Sequence, residues 1–280
     1  PDLRDRLVPG FSATGADERV DGHGHGTHVA GTAAASLGGG YGVAGLAPEA
    51  AIMPVQVTDA DGLAYASDVA EGLIWAVDTG ATVANMSLAG TSESLVLNGA
   101  IDYAVASGVV VVVAAGNEHD RGNPRTYPAS HPDVIAVGSL RDATTRSAFS
   151  STGDWLDLAA PGSSIISTRP DGTFGYASGT SMAAPLVAGA VALVRSAAPD
   201  LASQDVRALL LDGARDLGSS GWDEAFGHGA LDVMSVLDQL TEAPSPLGEE
   251  APSAPDEAIS TTGQLSRVDG LFSGEGFHRR

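Results

Sequence analysis

The sequence contains no cysteine, which excludes disulfide bonds, thiolate metal sites and cysteine nucleophiles. It also contains no lysine, and its 14 basic residues, all of them arginines, face 35 acidic ones, which gives a formal net charge of −21. A surface with this charge repels phosphate groups, so we expect no nucleic-acid partner. The same charge favours a well-solvated monomer.

Long hydrophobic runs are absent as well. The longest continuous apolar stretch, Val109 to Ala115, has the length of a strand, so no transmembrane helix is predicted. The chain begins at Pro1 and shows no basic segment followed by an apolar one. We therefore expect that any signal peptide or pro-segment lies upstream of Pro1 and that the chain begins after its own first strand.

Strand patterns and helix patterns alternate along the chain. Such alternation, with one fully apolar strand, predicts an α/β fold in which helices cover both faces of a mostly parallel sheet. Ligands of such sheets bind at the carboxyl ends of the strands, which makes residues 87–90 and 115–118 candidate site segments. The predicted strands cover residues 51–57, 82–88, 109–115 and 134–139, and the predicted helices cover 67–79, 94–107, 184–197, 203–211 and a segment ending at 240.

A serine follows a small-residue turn in the stretch from Gly175 to Pro185. Gly179 permits a tight turn, and the apolar run from Ala184 predicts a buried helix that begins just after Ser181. The amides of a helix N-terminus beside a serine hydroxyl suit a nucleophile. The alternative is that Ser181 only caps a core helix.

Three histidines lie within six residues, at His23, His25 and His28. Their spacing resembles the metallo-β-lactamase signature, although that family has an acid where Thr27 stands. A metal-dependent hydrolase using these three histidines is one interpretation, and loop histidines without chemistry are another. Asn117, which follows Gly116, is either a site residue or an ordinary turn residue.

Composition changes near the end of the chain, where prolines alternate with acidic residues between Glu242 and Glu257. Such segments bury too little apolar surface to fold. We expect a folded domain over residues 1–240 and an extended tail over 241–280.

Three segments occur in a fixed order: His25 to Thr32, Ala114 to Glu118, and Gly179 to Pro185. Together they closely resemble the subtilisin-like (subtilase, S8) serine peptidases, over residues 1 to about 240. The resemblance implies a three-layer αβα sandwich. It also implies that Ser181 is the nucleophile, His25 the general base and Asn117 the oxyanion donor, while His28 is structural.

The segment Ser87-Leu88-Ala89-Gly90 resembles the family's Ser-Leu-Gly-Gly. In the family this backbone pairs with an extended substrate and walls the primary specificity pocket. Ala89 replaces a glycine here, and its methyl group is expected to narrow that pocket. The resemblance places Glu118 at the rim of the same pocket.

The chain departs from the family at its beginning. The family's catalytic aspartate lies in an Asp-Thr-Gly or Asp-Ser-Gly motif, and neither Asp2 nor Asp5 has that context. We expect this aspartate upstream of Pro1 and assign no residue to the role. Asp2 instead resembles a ligand of the family's structural calcium, although residues 38–41 lack the asparagine that usually completes the site.

The resemblance predicts a serine endopeptidase that hydrolyses polypeptides through an acyl-enzyme and needs no cofactor for its chemistry. It further implies secretion or display at the cell surface, and the enzyme's own pro-segment as a partner. The alternatives are a catalytically dead, peptide-binding homologue and the metal-dependent hydrolase. The metal-dependent hydrolase leaves Ser181 and Asn117 without a role.

Overall fold

The computed structural model describes residues 2–17, 19–37 and 42–242. Residue contacts divide the chain into one unit over 1–243 and another over 244–280, and only the first contains described residues. The predicted loop at 38–41 and nearly all of the predicted tail lie outside the described residues. The domain boundary at residue 240 therefore stays a prediction.

The described residues form strands and helices that follow the predicted alternation. The strands are β1 (Phe11–Ser12), β2 (Val55–Gln56), β3 (Val83–Met86), β4 (Val110–Ala114), β5 (Ile135–Leu140), β6 (Leu158–Pro161), β7 (Ile165–Thr168) and β8 (Phe174–Ala177). The helices are α1 (His25–Ala34), α2 (Ala66–Asp78), α3 (Leu95–Ala106), α4 (Thr180–Ala197), α5 (Ser203–Asp212) and α6 (Val233–Glu242).

The central sheet consists of four parallel strands in the order β3-β4-β5-β6. β1 and β2 form a separate parallel pair, and β7 and β8 form an antiparallel hairpin. Among the described strands, β3 pairs only with β4. The prediction of a mostly parallel sheet is confirmed.

Strand β4 shows why the sheet lies between two helical layers. Val110 and Val112 point into an apolar cluster that contains residues of α4, α5 and α6. Val111 and Val113 point to the other face, into a cluster with α2 and α3. All four valines are at most 3% exposed, and burial of one such side chain contributes about 2 kcal/mol. Alternate residues of one strand therefore hold two helical layers, as the predicted three-layer αβα sandwich requires.

Helix α4 is the central helix of the fold. It is long and apolar enough to cross a membrane, yet 61% of it is buried inside the fold. A Cβ at Gly189 would lie 2.9 Å from Leu46 Cβ and 3.3 Å from the Ala33 carbonyl oxygen, so only a glycine lets α1 approach this closely. The length and hydropathy of α4 are those of a core helix.

Two predicted elements differ from the structure. The predicted strand 51–57 contracts to Val55–Gln56, because Pro54 has no N–H to donate and only its carbonyl pairs, with Phe11. Helix α4 begins at Thr180 and not after Ser181, so the serine lies in the first helical turn. The small polar residues before Ala184 belong to the helix rather than to the turn.

Candidate active site

Asp21 holds the loop that leads into α1. One carboxylate oxygen accepts hydrogen bonds from the amides of His23 at 3.1 Å and Gly24 at 2.6 Å. The other accepts from the amide and the hydroxyl of Thr27, both at 2.7 Å. Gly24 precedes the helix with φ of +90° and has no side chain to cap it. Asp21, three residues before Gly24, caps α1 instead. This fixes the position of His25, the first residue of the helix.

We expect Asp21→Asn to destabilise the fold by about 1 to 2 kcal/mol, because an amide cannot replace all four charge-assisted bonds. Burial raises the pKa of the Asp21 carboxyl, but the bonds from Thr27, Gly24 and His23 outweigh it and the net pKa is lowered. The stabilisation is therefore complete above the ordinary carboxyl range and is lost as pH falls through the depressed pKa.

Urea unfolding at pH 7 and at acid pH measures both effects. Asp171→Asn is the matched control, because Asp171 accepts similar bonds from Thr173 in the exposed turn between β7 and β8 and none from α1. Equal stability losses in the two variants would show that Asp21 has no special role in α1.

His25 is partly buried, and its environment favours the neutral imidazole. Burial lowers the pKa of His25 most, the charge of His23 lowers it further, and Asp21 opposes this shift. The two rings lie with their centroids 6.2 Å apart. Within residues 2–17, 19–37 and 42–242, no carboxylate is hydrogen-bonded to the His25 ring. A neutral imidazole is the form that accepts a proton.

We expect His23→Gln to move the acidic limb of the kcat/KM profile to higher pH. Glutamine removes a positive charge beside His25, so the pKa of His25 rises and more of the base is protonated at a given pH. The shift should shrink in high salt, because His23 is exposed and its charge is screened. The measurement is kcat/KM against pH at two ionic strengths, with His119→Gln as the control. An unchanged profile at low salt would show that His23 does not tune the base.

His28 is buried and turns away from His25. Its Nε2 lies 3.1 Å from the carbonyl oxygens of both Ile165 and Gly175, so Nε2 carries the proton and donates to the β7-β8 hairpin. Among the described residues, His23, His25 and His28 do not converge on a common metal position. The structure thus gives His28 the packing position that the resemblance implied.

Ser181 and Ser87 contact each other through two hydrogen bonds. The Ser181 hydroxyl donates to the Ser87 carbonyl at 3.3 Å, and the Ser87 hydroxyl donates to the Ser181 carbonyl at 2.9 Å. That carbonyl is free because Pro185, four residues later, has no N–H to bond it within α4. Ser87 follows the last residue of β3, so the proline joins the end of the sheet to the first turn of α4.

Asn117 is oriented by Thr180. The Thr180 amide donates to Asn117 Oδ1 at 2.9 Å, and the Thr180 hydroxyl lies 3.1 Å from the same oxygen. A backbone N–H can only donate, so the side-chain atom it contacts is the oxygen, and Nδ2 remains for another partner. The Gly116 amide donates to the Thr180 hydroxyl at 3.1 Å, which fixes the hydroxyl as well. The exposed Asn117 therefore offers its amide protons beside Ser181.

The geometry brings Ser87, Asn117 and Ser181 together at the carboxyl ends of β3 and β4 and the start of α4. His25 begins α1, which packs against α4. A sequence profile of the subtilase family matches residues 5–229. This chain belongs to the subtilase family.

Relatives of this subtilase match most of its length. A subtilisin of Bacillus pumilus is 45% identical over 238 residues, which cover 84% of this chain and 85% of the relative. Subtilisin E of Bacillus subtilis (strain 168) is 44% identical over 84% of this chain, but the match spans only 61% of that relative. Fervidolysin from Fervidobacterium pennivorans, described as a keratinolytic enzyme related to subtilisin, has a TM-score of 0.79 and 35% identity, over 85% of this chain and 40% of its own. These relatives establish the fold class and a serine endopeptidase function.

Some backbone hydrogen-bonding groups of segment 87–90 of the subtilase are already paired within the fold. The N–H and the C=O of Gly90 are bonded to the backbone of Tyr127, both at 2.8 Å. Leu88 packs against the cluster of α2 and α3, while Ala89 is exposed. Within the described residues, no backbone hydrogen bond reaches Leu88 or Ala89, so the backbone groups of these two residues are free to pair with a peptide.

Glu118 lies next to Asn117 and pairs with Arg121 at 3.3 Å. The Ser151 hydroxyl accepts from its amide at 3.2 Å. An exposed ion pair of this kind contributes less than about 1 kcal/mol to stability. The Glu118 carboxylate can therefore exchange Arg121 for another cation.

Asp2 contributes a single carboxylate to its predicted calcium site. One of its oxygens accepts from the Val43 amide at 3.3 Å, and Gly42 leaves room for it. The segment 38–41 that would supply further ligands lies outside the described residues. The described residues supply too few oxygen donors here for a calcium cage, and the calcium ligand stays a prediction.

Sequence reasoning did not identify the roles of Asp21, Thr180, the Ser87 hydroxyl and Pro185. Asp21 had a usable signal, since an aspartate in the loop just before a helix can accept bonds from the amides of the first turn. Ser87 was named for its backbone rather than its hydroxyl. Thr180 and Pro185 act through partners that are distant in the sequence.

Proposed function

We propose that this subtilase uses Ser181 as nucleophile, His25 as general base and Asn117 as oxyanion donor. The bond from the Ser181 hydroxyl to the Ser87 carbonyl is long, and catalytic hydrogen bonds commonly tighten only when substrate is bound. The observation that carries the assignment is the orientation of Asn117 by Thr180, next to the serine in the first turn of α4.

In the first step Ser181 Oγ attacks the scissile carbonyl carbon while its proton passes to the neutral His25 ring. The carbonyl oxygen becomes an oxyanion, which Asn117 Nδ2 and the Ser181 amide stabilise. An amide in the first turn of a helix has no partner within that helix. The C–N bond then breaks, the His25 proton goes to the leaving amine, and an acyl-enzyme remains. Water hydrolyses this ester with the same groups.

The substrate in this proposal is an extended polypeptide. Leu88 and Ala89 offer the free backbone groups that can pair with it as an added strand. The Ala89 methyl group narrows the primary pocket, and the Glu118 carboxylate at its rim favours a cationic side chain.

The proposed chemistry requires no cofactor, because a hydroxyl, an imidazole and an amide supply every step. The net charge of −21 supports a solvated monomer that acts on polypeptides rather than on nucleic acid. Family membership supports an extracellular enzyme that is produced with its own pro-segment.

Labelling with a fluorophosphonate tests the proposal against its alternatives. In the enzyme that includes the expected upstream aspartate, we expect one label per chain, located by mass spectrometry on the peptide that contains Ser181. Peptide anilide hydrolysis should stop on labelling and should persist with a zinc chelator. A folded chain that takes no label would indicate a dead homologue. Hydrolysis that is lost to the chelator in a chain whose Ser181 takes no label would indicate the metal-dependent hydrolase.

A further inference from the structure

A second group of ligating side chains lies away from Ser181, between α3 and the loop that leads into β5. Asp102 belongs to α3, and His131 and Asp133 belong to the loop. One ligand atom from each of the three lies within 4.8 Å of the others. The catalytic proposal gives none of these residues a role.

His131 is held in one position. Its side chain is only 6% exposed, and its amide donates to the Pro128 carbonyl at 2.9 Å. The Asp133 amide donates to Nδ1 at 3.3 Å, so Nε2 carries the ring proton and faces Asp102. A buried imidazole with Nε2 facing carboxylates is a typical metal ligand.

The spacing of the two closest ligands fits one ion. Asp102 Oδ1 lies 3.2 Å from His131 Nε2. Two ligands of a tetrahedral zinc ion, each about 2.0 to 2.1 Å from the metal, are separated by about 3.3 Å. The Asp102 side chain is 66% exposed and Asp133 is exposed too, so rotation of these carboxylates to close the site meets little resistance.

Charge also favours a cation at this position. Among the described residues, no arginine pairs with Asp102 or Asp133, and the only side-chain nitrogen within ion-pair distance of Asp102 is Nε2 of His131. Two carboxylates carry a charge of −2, which a divalent ion neutralises.

A cavity of about 360 Å³ adjoins the cluster and is lined by Asp102 and His131. Glu93, Asn98 and Ser130 add oxygen atoms to its wall, and no basic residue lines it apart from His131. Water in this cavity can supply a fourth ligand. Imidazole with carboxylates suits zinc, whereas calcium and magnesium prefer oxygen ligands only.

We propose that Asp102, His131 and Asp133 bind a zinc ion that ties α3 to the loop before β5. Zinc takes the lone pair of His131 Nε2, and the ring proton moves from Nε2 to Nδ1 as zinc binds. The long contact from the Asp133 amide to Nδ1 opens as the Asp133 carboxylate turns towards the ion. Tyr127, which lines the same cavity, is bonded to Gly90, so zinc stabilises the segment that supports the wall of the substrate pocket.

Zinc and cobalt binding by the full chain tests this proposal. The chain carries Ser181→Ala, which prevents autolysis. We expect equilibrium dialysis to show one bound zinc ion per chain, and we expect zinc to raise Tm. Both effects should be lost in Asp102→Asn and in Asp133→Asn. Both side chains are exposed, so these variants should fold normally. Cobalt in place of zinc should give the visible absorption of a tetrahedral nitrogen and oxygen site, and His131→Gln should abolish it.

The matched control is His119→Gln, a partly buried histidine outside the cluster, which should keep the zinc equivalent and the cobalt spectrum. The His23→Gln variant distinguishes zinc bound beside His25 from zinc bound at this site. Unchanged zinc stoichiometry and Tm in both aspartate variants would overturn the proposal. Loss of all zinc in His23→Gln alone would overturn it as well.

Discussion

In the enzyme that includes the expected upstream aspartate, Ser181→Ala is expected to lower kcat for a peptide anilide by about a million-fold, the loss that follows removal of the nucleophile in subtilisin, a member of the same family. Alanine has no hydroxyl to attack the scissile carbon. The fold should persist, because the only side-chain bond lost among the described residues is the 3.3 Å contact with the Ser87 carbonyl. Steady-state kinetics and fluorophosphonate labelling measure the effect.

Ser178→Ala is the control for this change. Ser178 is an exposed serine three residues upstream whose hydroxyl accepts from the Ser164 amide at 2.8 Å. The variant should label and turn over at nearly the unmodified rate. Labelling that persists in Ser181→Ala would refute the assignment of the nucleophile.

Asn117→Leu is expected to lower kcat by about two to three orders of magnitude with little change in KM. The amide protons of Asn117 stabilise charge that exists only in the transition state, so their loss should not weaken ground-state binding. Steady-state kinetics with one anilide substrate separates the two parameters.

Two companion variants separate the amide donor from its orientation. Asn117→Asp keeps an oxygen for the Thr180 amide but presents a negative charge to the oxyanion, so its kcat should be at least as low as that of Asn117→Leu. Thr180→Ser keeps the hydroxyl between Gly116 and Asn117 and should retain most activity. A variant of Asn117 that raises KM at unchanged kcat would place this side chain on the substrate instead.

The fold was predictable wherever a pattern repeats locally. The apolar run at Val109 to Ala115 requires burial on both faces, and the structure buries both faces of β4 between helical layers. The start of α4 was not predictable in the same way. Thr180 and Ser181 carry no apolar pattern, and Pro185 argues against a helix until its lost bond is seen to be replaced by Ser87.

In the candidate site too, residues in local motifs were predictable and contacts between distant segments were not. Ser181, His25 and Asn117 stand in local motifs, so the sequence alone predicted them, and their roles remain proposals. The orientation of Asn117 depends on Thr180, which is 63 residues away in the chain. The zinc cluster joins Asp102 to His131 across the gap between a helix and a loop, and no local spacing indicates it.

Pro185 has a mechanical consequence. Because this residue cannot bond the Ser181 carbonyl, that carbonyl is held by the Ser87 hydroxyl, at the end of the segment proposed to seat the substrate. A substrate strand that draws this segment outwards therefore also pulls on the backbone of the nucleophile. The proposed peptide seat and the backbone of the serine are thus linked directly, through a gap in the hydrogen-bond ladder of a helix.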